Sequence, residues 1–362
     1  MQQTIPESLK ISPFMAAFVI VSMQIGIGVL GYQRLISEDA GYDAWISVIM
    51  AGLTVNVLVW LMYKICETVN GDVMAANIYA FGKIIGNSIN TLFIFYFIMT
   101  CLTVLSGLIE VIRTWMFLGM KPAFFASVYL ILGIYIVNGG FRTVVGIALF
   151  GLVVPAYLLL SFVAPLRFGD LTNLLPILDH TPVQLVKSAY NMTLTYLGYS
   201  VLLFIYPFIK EPKKSKKWVH LGLFSTMAFF TALAVITFAY FPIALLQKSI
   251  WATLEMWKIV KLPFIERFEY LGLANWALVI LPNVAISLWV ASRIVKRVYH
   301  INQRKAVFVI AAIVLIVVIM LDSRERINTF HDFQAKAGFV LAYLYTPFLY
   351  IVLLIKKKVK AK

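Results

Sequence analysis

Long apolar runs recur along the whole chain, separated by short polar segments. A helix rises about 1.5 Å per residue, so roughly 20 apolar residues cross the hydrocarbon core of a bilayer. Ten runs meet or approach that length: residues 11–32, 44–65, 84–109, 123–138, 144–165, 184–209, 218–243, 271–295, 305–321 and 337–355. The fourth is the shortest, at 16 residues. The pattern predicts an all-α polytopic membrane protein whose residues 1–362 form one transmembrane domain.

Two runs interrupt their own pattern. The first carries Ser22-Met23-Gln24-Ile25-Gly26-Ile27-Gly28-Val29-Leu30-Gly31 at its centre. Glycine weakens a helix by about 1 kcal/mol relative to alanine, so Gly26 and Gly28 invite the backbone to open near the polar Gln24. In hydrocarbon an open backbone is tolerated only where protein or a polar cavity satisfies it. A small-residue face for helix packing is the simpler alternative. The sixth run holds Thr193, Thr195, Tyr196, Tyr199 and Ser200 around Gly198. If residues 11–165 and 184–355 are inverted repeats, runs one and six occupy corresponding places. Interrupted helices at matching places in two halves point to a substrate site at the midplane.

Few other polar groups fall inside the runs. Tyr96, Thr100 and Thr103 lie in the third; Pro282, Asn283 and Ser287 lie in the eighth, where the proline predicts a kink. The candidate ligand-binding set is therefore Gln24, Gly26, Gly28, Tyr96, Thr100, Thr195, Tyr196, Gly198, Tyr199, Asn283 and Ser287. Unpaired N–H groups at the break of run one suit a carboxylate, and the Tyr and Thr hydroxyls offer further donors. No Asp, Glu, Lys or Arg lies in the core of a run, which argues against a proton pump. The connection from Gln247 to Tyr270 opens with Ile250, Trp251, Leu254 and Trp257 at helical spacing. It predicts either a lid over an outer vestibule or a passive interfacial helix, with both tryptophans at the membrane interface.

Composition agrees: hydrophobic residues make up 62% of the chain and charged residues 13%. The net charge of +15 changes the picture more. With ten spans and the N-terminus inside, the inner segments hold 19 of the 31 cations but four of the 16 acids. The outer segments then balance at 12 of each, so the whole excess falls on one side, as the positive-inside rule requires. Such a source of charge removes the need for a nucleic-acid partner. The basic clusters Lys210–Lys217 and Lys356–Lys362 read as orientation anchors facing the lipid bilayer. Residues Met1–Lys10 hold one cation before a long run without a small-residue cleavage site, unlike a signal peptide. Cys66 and Cys101 suggest neither a disulfide framework nor a metal site. The histidines, His180, His220, His300 and His331, fall in or beside loops, so no acid–base pair or cofactor site for an enzyme is predicted.

Several segments also carry a family resemblance. Gly26-Ile27-Gly28-Val29-Leu30 is followed by Arg34; Asn138-Gly139-Gly140 closes run four; Leu197-Gly198 precedes a lysine cluster; Phe264-Ile265-Glu266-Arg267-Phe268-Glu269 precedes run eight. In this order, over the whole chain, they resemble the B subunit of GerA-type spore germinant receptors, the spore germination permeases of the amino acid–polyamine–organocation superfamily. Gln33 stands where the family often has Pro, and Tyr199-Ser200 where many members carry an acid. The resemblance implies a five-plus-five inverted-repeat fold (LeuT/APC-like) with helices one and six broken. It implies a nutrient-sensing subunit in the spore inner membrane, both termini on the core side, working with an A subunit and a lipoprotein C subunit. Its ligand would be a small germinant, commonly an amino acid, sometimes with sugar or ion co-germinants. The alternative is an ion-coupled amino acid transporter of the plasma membrane.

Overall fold

The computed structural model describes residues 5–361, which are helical nearly throughout and contain no strand beyond isolated bridges. Met1–Thr4 and Lys362, the last member of the second basic cluster, lie outside the described residues.

Run one is divided. It comprises α1 (Met15–Gln24), a 3₁₀ turn (Ile27–Leu30) and α2 (Tyr32–Ala40). Its predicted start at Ile11 is not helical: the backbone there is extended and bonds to the end of run six, with Ile11 N–H donating to the Phe208 carbonyl at 2.8 Å. Then follow α3 (Ala44–Val69), a short α4 (Val73–Phe81), α5 (Lys83–Trp115) and α6 (Pro122–Asn138). Run five is α7 (Phe141–Val153), a 3₁₀ stretch (Val154–Phe162) that begins beside Pro155, and α8 (Val163–Phe168).

Run six is divided as well: α9 (Pro182–Asn191), α10 (Thr193–Tyr196), then α11 (Leu202–Ile205) between two 3₁₀ turns. The Thr181 side chain and Gln184 cap the start of α9 reciprocally, and Pro182 occupies its first position. The remainder is α12 (Pro212–Tyr240), the short α13 (Ile243–Leu246) and α14 (Ala252–Trp257), α15 (Phe268–Tyr299), α16 (Gln303–Met320), α17 (Arg324–Phe339), a π turn (Val340–Tyr345) and α18 (Thr346–Ala361).

Among the described residues seven helical stretches are long and apolar enough to cross a membrane, and the chain is a multi-pass membrane protein. Three shorter apolar helices, Met15–Gln24, Pro122–Asn138 and Tyr199–Phe208, fall on predicted runs one, four and six. Runs one and six are short because each is broken. The largest departure is run ten, whose helix begins at Arg324, 13 residues before the hydropathy pattern does. Pro282 sits inside α15 without ending it. The groove it needs is supplied by Gly151, where an added Cβ would lie 2.7 Å from the proline ring.

Segments assigned to one side by their charge touch one another. On the basic face Lys216 pairs with Glu67 at 2.5 Å, Lys210 with Glu7 at 3.5 Å, and Arg297 with the buried Asp72. Lys356 Nζ donates to the Tyr79 carbonyl there as well. Burial pushes the Asp72 carboxyl above the ordinary carboxylate range, against the pull of Arg297. On the opposite face Asp43 accepts from the backbone N–H groups of Leu178 and His180 and meets the His180 ring at 3.0 Å.

Candidate functional site

The site forms where the two broken helices cross. At Gly26 the chain leaves α1 in extended conformation, φ −119° and ψ −155°, a backbone any residue can adopt. At Gly198 φ is +112°, which favours glycine, and a Cβ there would fall on the Met23 carbonyl. The crossing is close a second time at Gly28, where a Cβ would lie 2.8 Å from Thr195 Oγ1. So the packing reading and the broken-helix reading both hold: Gly28 and Gly198 let the helices touch, and Gly26 opens the backbone beside a space.

That space is a cavity of about 40 Å³. Of the predicted residues, Gln24, Gly26, Gly28, Thr100, Thr195, Gly198 and Asn283 line it. Tyr96, Tyr196, Tyr199 and Ser287 do not. The Tyr196 hydroxyl donates instead to the Val48 carbonyl at 3.1 Å, Tyr96 packs edge-on against Phe97, Tyr199 is buried, and Ser287 lies a turn further along α15.

Two polar residues join the lining that the candidate set lacks, Thr103 and Gln334. Gln334 comes from α17, in its first 13 residues, 324–336, which hydropathy leaves outside run ten. Its signal was periodicity: Ile327, Gln334 and Gly338 are all buried and lie on one face of the helix. His331, expected beside a loop, is inside the same helix with Nε2 3.3 Å from Ser106 Oγ.

The hydrogen bonding of the three lining amides follows one rule. Gln24 Nε2 donates to the Tyr196 carbonyl at 3.3 Å, Asn283 Nδ2 to the Ile25 carbonyl at 3.3 Å, and Gln334 Nε2 to Thr100 Oγ1 at 2.8 Å. Each amine thus satisfies a group freed by a helix break or a neighbouring hydroxyl. Each amide oxygen, Gln24 Oε1, Asn283 Oδ1 and Gln334 Oε1, is left buried without a partner among the described residues, as is Thr103 Oγ1. A buried acceptor without a donor costs about 1–3 kcal/mol, so the three amide oxygens around one cavity make a set that calls for hydrogen-bond donors, and the Thr103 hydroxyl can accept or donate beside them.

Above the cavity, sharing Ile27, Gly28 and Thr195 with it, lies a vestibule of about 330 Å³ lined also by Arg34, Glu38, Glu110, Trp251, Arg324 and His331. Ile250 and Trp251 form part of its wall. A Cβ on Gly31 would fall on the Ile250 carbonyl, so the connection rests directly on the chain after the break. Thr253 Oγ1 donates to the Val29 carbonyl at 2.9 Å and accepts from Gln33 Nε2 at 2.9 Å, binding α14 to the 3₁₀ turn. Trp257 is not interfacial: it is fully buried, its indole donating to Ser161 Oγ at 2.9 Å.

Broken helices packed across a central polar cavity, beneath a vestibule walled in part by Ile250 and Trp251, define a permease-type membrane protein. The fold is shared with solved transporters: MhsT, determined in complex with L-phenylalanine, superposes with a TM-score of 0.62 at 13% identity, covering 93% of this chain and 87% of that one. Mhp1, a nucleobase-cation-symport-1 family transporter in a closed conformation, gives 0.61 at 14% identity, covering 94% and 79%. The spore germination protein family model matches residues 10–327, and the chain belongs to that family. It is 38% identical over 356 residues to spore germination protein GerQB of Bacillus cereus, covering 98% of this chain and 99% of that one. It is 21% identical to spore germination protein A2 of Bacillus subtilis (strain 168), covering 98% of each. Family and fold are those of permeases rather than enzymes.

Proposed function

We propose that this chain is the nutrient-sensing membrane subunit of a spore germinant receptor and that it binds a small amine-bearing germinant, such as an amino acid, at the crossing of its broken helices. The observation that carries the reading is the set of four partnerless oxygens around the cavity. An ammonium group carries three donors and no acceptor, the complement of the three amide oxygens in that set. The N–H groups that open the Ile27–Leu30 turn suit the carboxylate of the same molecule. Among fold relatives, MhsT was solved with an amino acid bound.

A cavity of about 40 Å³ is far below the roughly 300–1,000 Å³ of clefts that take small molecules. An amino acid therefore enters only if the helices separate, and its binding shifts a conformational equilibrium by its differential affinity for the open form. A and C subunits in the spore inner membrane would read that shift, with both chain termini on the core side. The experiment is thermal stabilisation of the purified protein by amino acids, their des-amino acids and matched alkyl amines. Stabilisation by an amino acid, lost in its des-amino analogue, supports the reading. Equal stabilisation by the des-amino acid refutes the role of the oxygens. Uptake of the same labelled ligand into vesicles under an ion gradient would point to a transporter instead.

A further inference from the structure

A second binding site lies outside the helix crossing. On the face opposite the basic clusters, a crevice of about 930 Å³ opens between the outer end of run five and the segment that follows α14. Two kinds of group line it. Leu160, Val163 and Phe168 are apolar and exposed, Leu160 and Phe168 at 75% and 74%. Arg167, Lys258 and Lys261 are cationic and exposed, and none of them has a carboxylate partner among the described residues.

The nearby acids are engaged elsewhere or set apart. Glu269 takes Arg267 at 2.8 Å, and Asp170 accepts from Thr172 N–H at 2.8 Å and from its hydroxyl at 2.7 Å. Glu255 and Glu266 belong to the same connection but do not line the crevice. Lys258 Nζ lies 4.5 Å from the Trp115 ring centre, a contact that leaves its N–H donors available.

An apolar wall at the end of membrane-spanning helices faces acyl chains, while three cations without counter-charge favour an anion at the rim. We propose that the crevice binds one anionic glycerophospholipid, its phosphate held by Arg167, Lys258 and Lys261 and a chain laid along Leu160, Val163 and Phe168. The site has a mechanical position. Lys258 directly follows α14, whose Thr253 holds the Val29 carbonyl beside the cavity. A lipid bound here clamps the far end of that helix.

The test uses the full-length protein in detergent, titrated with phosphatidylglycerol, phosphatidylcholine of identical chains, or oleate, and read by native mass spectrometry and thermal unfolding. Phosphatidylglycerol should be retained at one per chain and raise the unfolding temperature. The Arg167→Gln/Lys258→Gln/Lys261→Gln variant should lose about tenfold in affinity for it while unfolding normally with phosphatidylcholine. Lys261→Glu, a single exposed change, should weaken binding in the same direction and serves if the triple variant does not fold. Neutralising Lys213 and Lys214 on the other face should leave the signal intact. Equal binding of phosphatidylcholine and phosphatidylglycerol, equal binding of oleate, or wild-type affinity in the crevice variants would overturn the proposal.

Discussion

At the scale of single residues, the two central glycines have different jobs, and substitution separates them. Gly26 has ordinary backbone angles, and a Cβ there would lie 3.9 Å from Asn283 Nδ2, in open contact distance. Gly26→Val should therefore fold at normal abundance and abolish ligand-dependent stabilisation, because its methyls fill the cavity. Gly198→Ala meets both a positive φ and the Met23 carbonyl, a strain of about 1–3 kcal/mol that should reduce abundance before any ligand is added. Membrane abundance and thermal unfolding, measured side by side, distinguish the two. Tyr196→Phe removes a hydroxyl committed to Val48, so it should cost about 1 kcal/mol of stability and leave ligand affinity unchanged. A tenfold loss of affinity would return Tyr196 to the binding set.

At the scale of elements, α14 is tied to the turn after the first break by one side chain, Thr253. Thr253→Val keeps the shape of that residue but leaves the Val29 carbonyl and Gln33 Nε2 without their shared partner. Hydrogen exchange over residues 27–37 should rise in this variant while the cores of α5 and α15 stay protected. Unchanged exchange there would mean that backbone packing of Ile250 on Gly31 alone seats this connection. Much of this layout is legible in the sequence, since the breaks at Gly26 and Gly198 follow from glycine among apolar residues. Seven of the candidate residues line one cavity for the same reason. The tyrosines do not, because a hydroxyl inside a membrane helix satisfies itself as readily on a neighbouring carbonyl as on a cavity, and composition cannot tell which. Gln334 escaped because a window of hydropathy averages over all faces of α17, whereas only one face is buried. Trp257 misled for the opposite reason: its indole found Ser161, far along the chain, in place of an interface.

At the scale of the whole molecule, the two faces differ in how they are closed. The basic face is bound by Arg297–Asp72, Lys216–Glu67 and the backbone bridge between Ile11 and Ile209, while the opposite face carries the vestibule. Arg297→Ala removes the ion-pair partner of the buried Asp72, which keeps the Ala75 N–H and the field of Arg293, at a cost of up to about 3–5 kcal/mol. It should loosen that face, seen as faster thiol labelling of Cys66, which is fully buried. Labelling as slow as in the wild type would place the closure in other contacts. The sidedness itself is testable in intact cells: cysteines at Lys214 and Lys358 should resist an impermeant thiol reagent, and one at Glu255 should react. The reverse pattern would invert the orientation.

The smallness of the central cavity bears on latency. If the cavity is the germinant site proposed above, a ground state that excludes the ligand pays for sensitivity with silence, because apparent affinity equals intrinsic affinity scaled down by the fraction of molecules already open. If about one molecule in a hundred is open at rest, a micromolar site behaves as a site about a hundredfold weaker. On the proposed function, dormancy would be set by the energy that keeps the helices together and selectivity by the oxygens between them, so either could be altered while the other is kept.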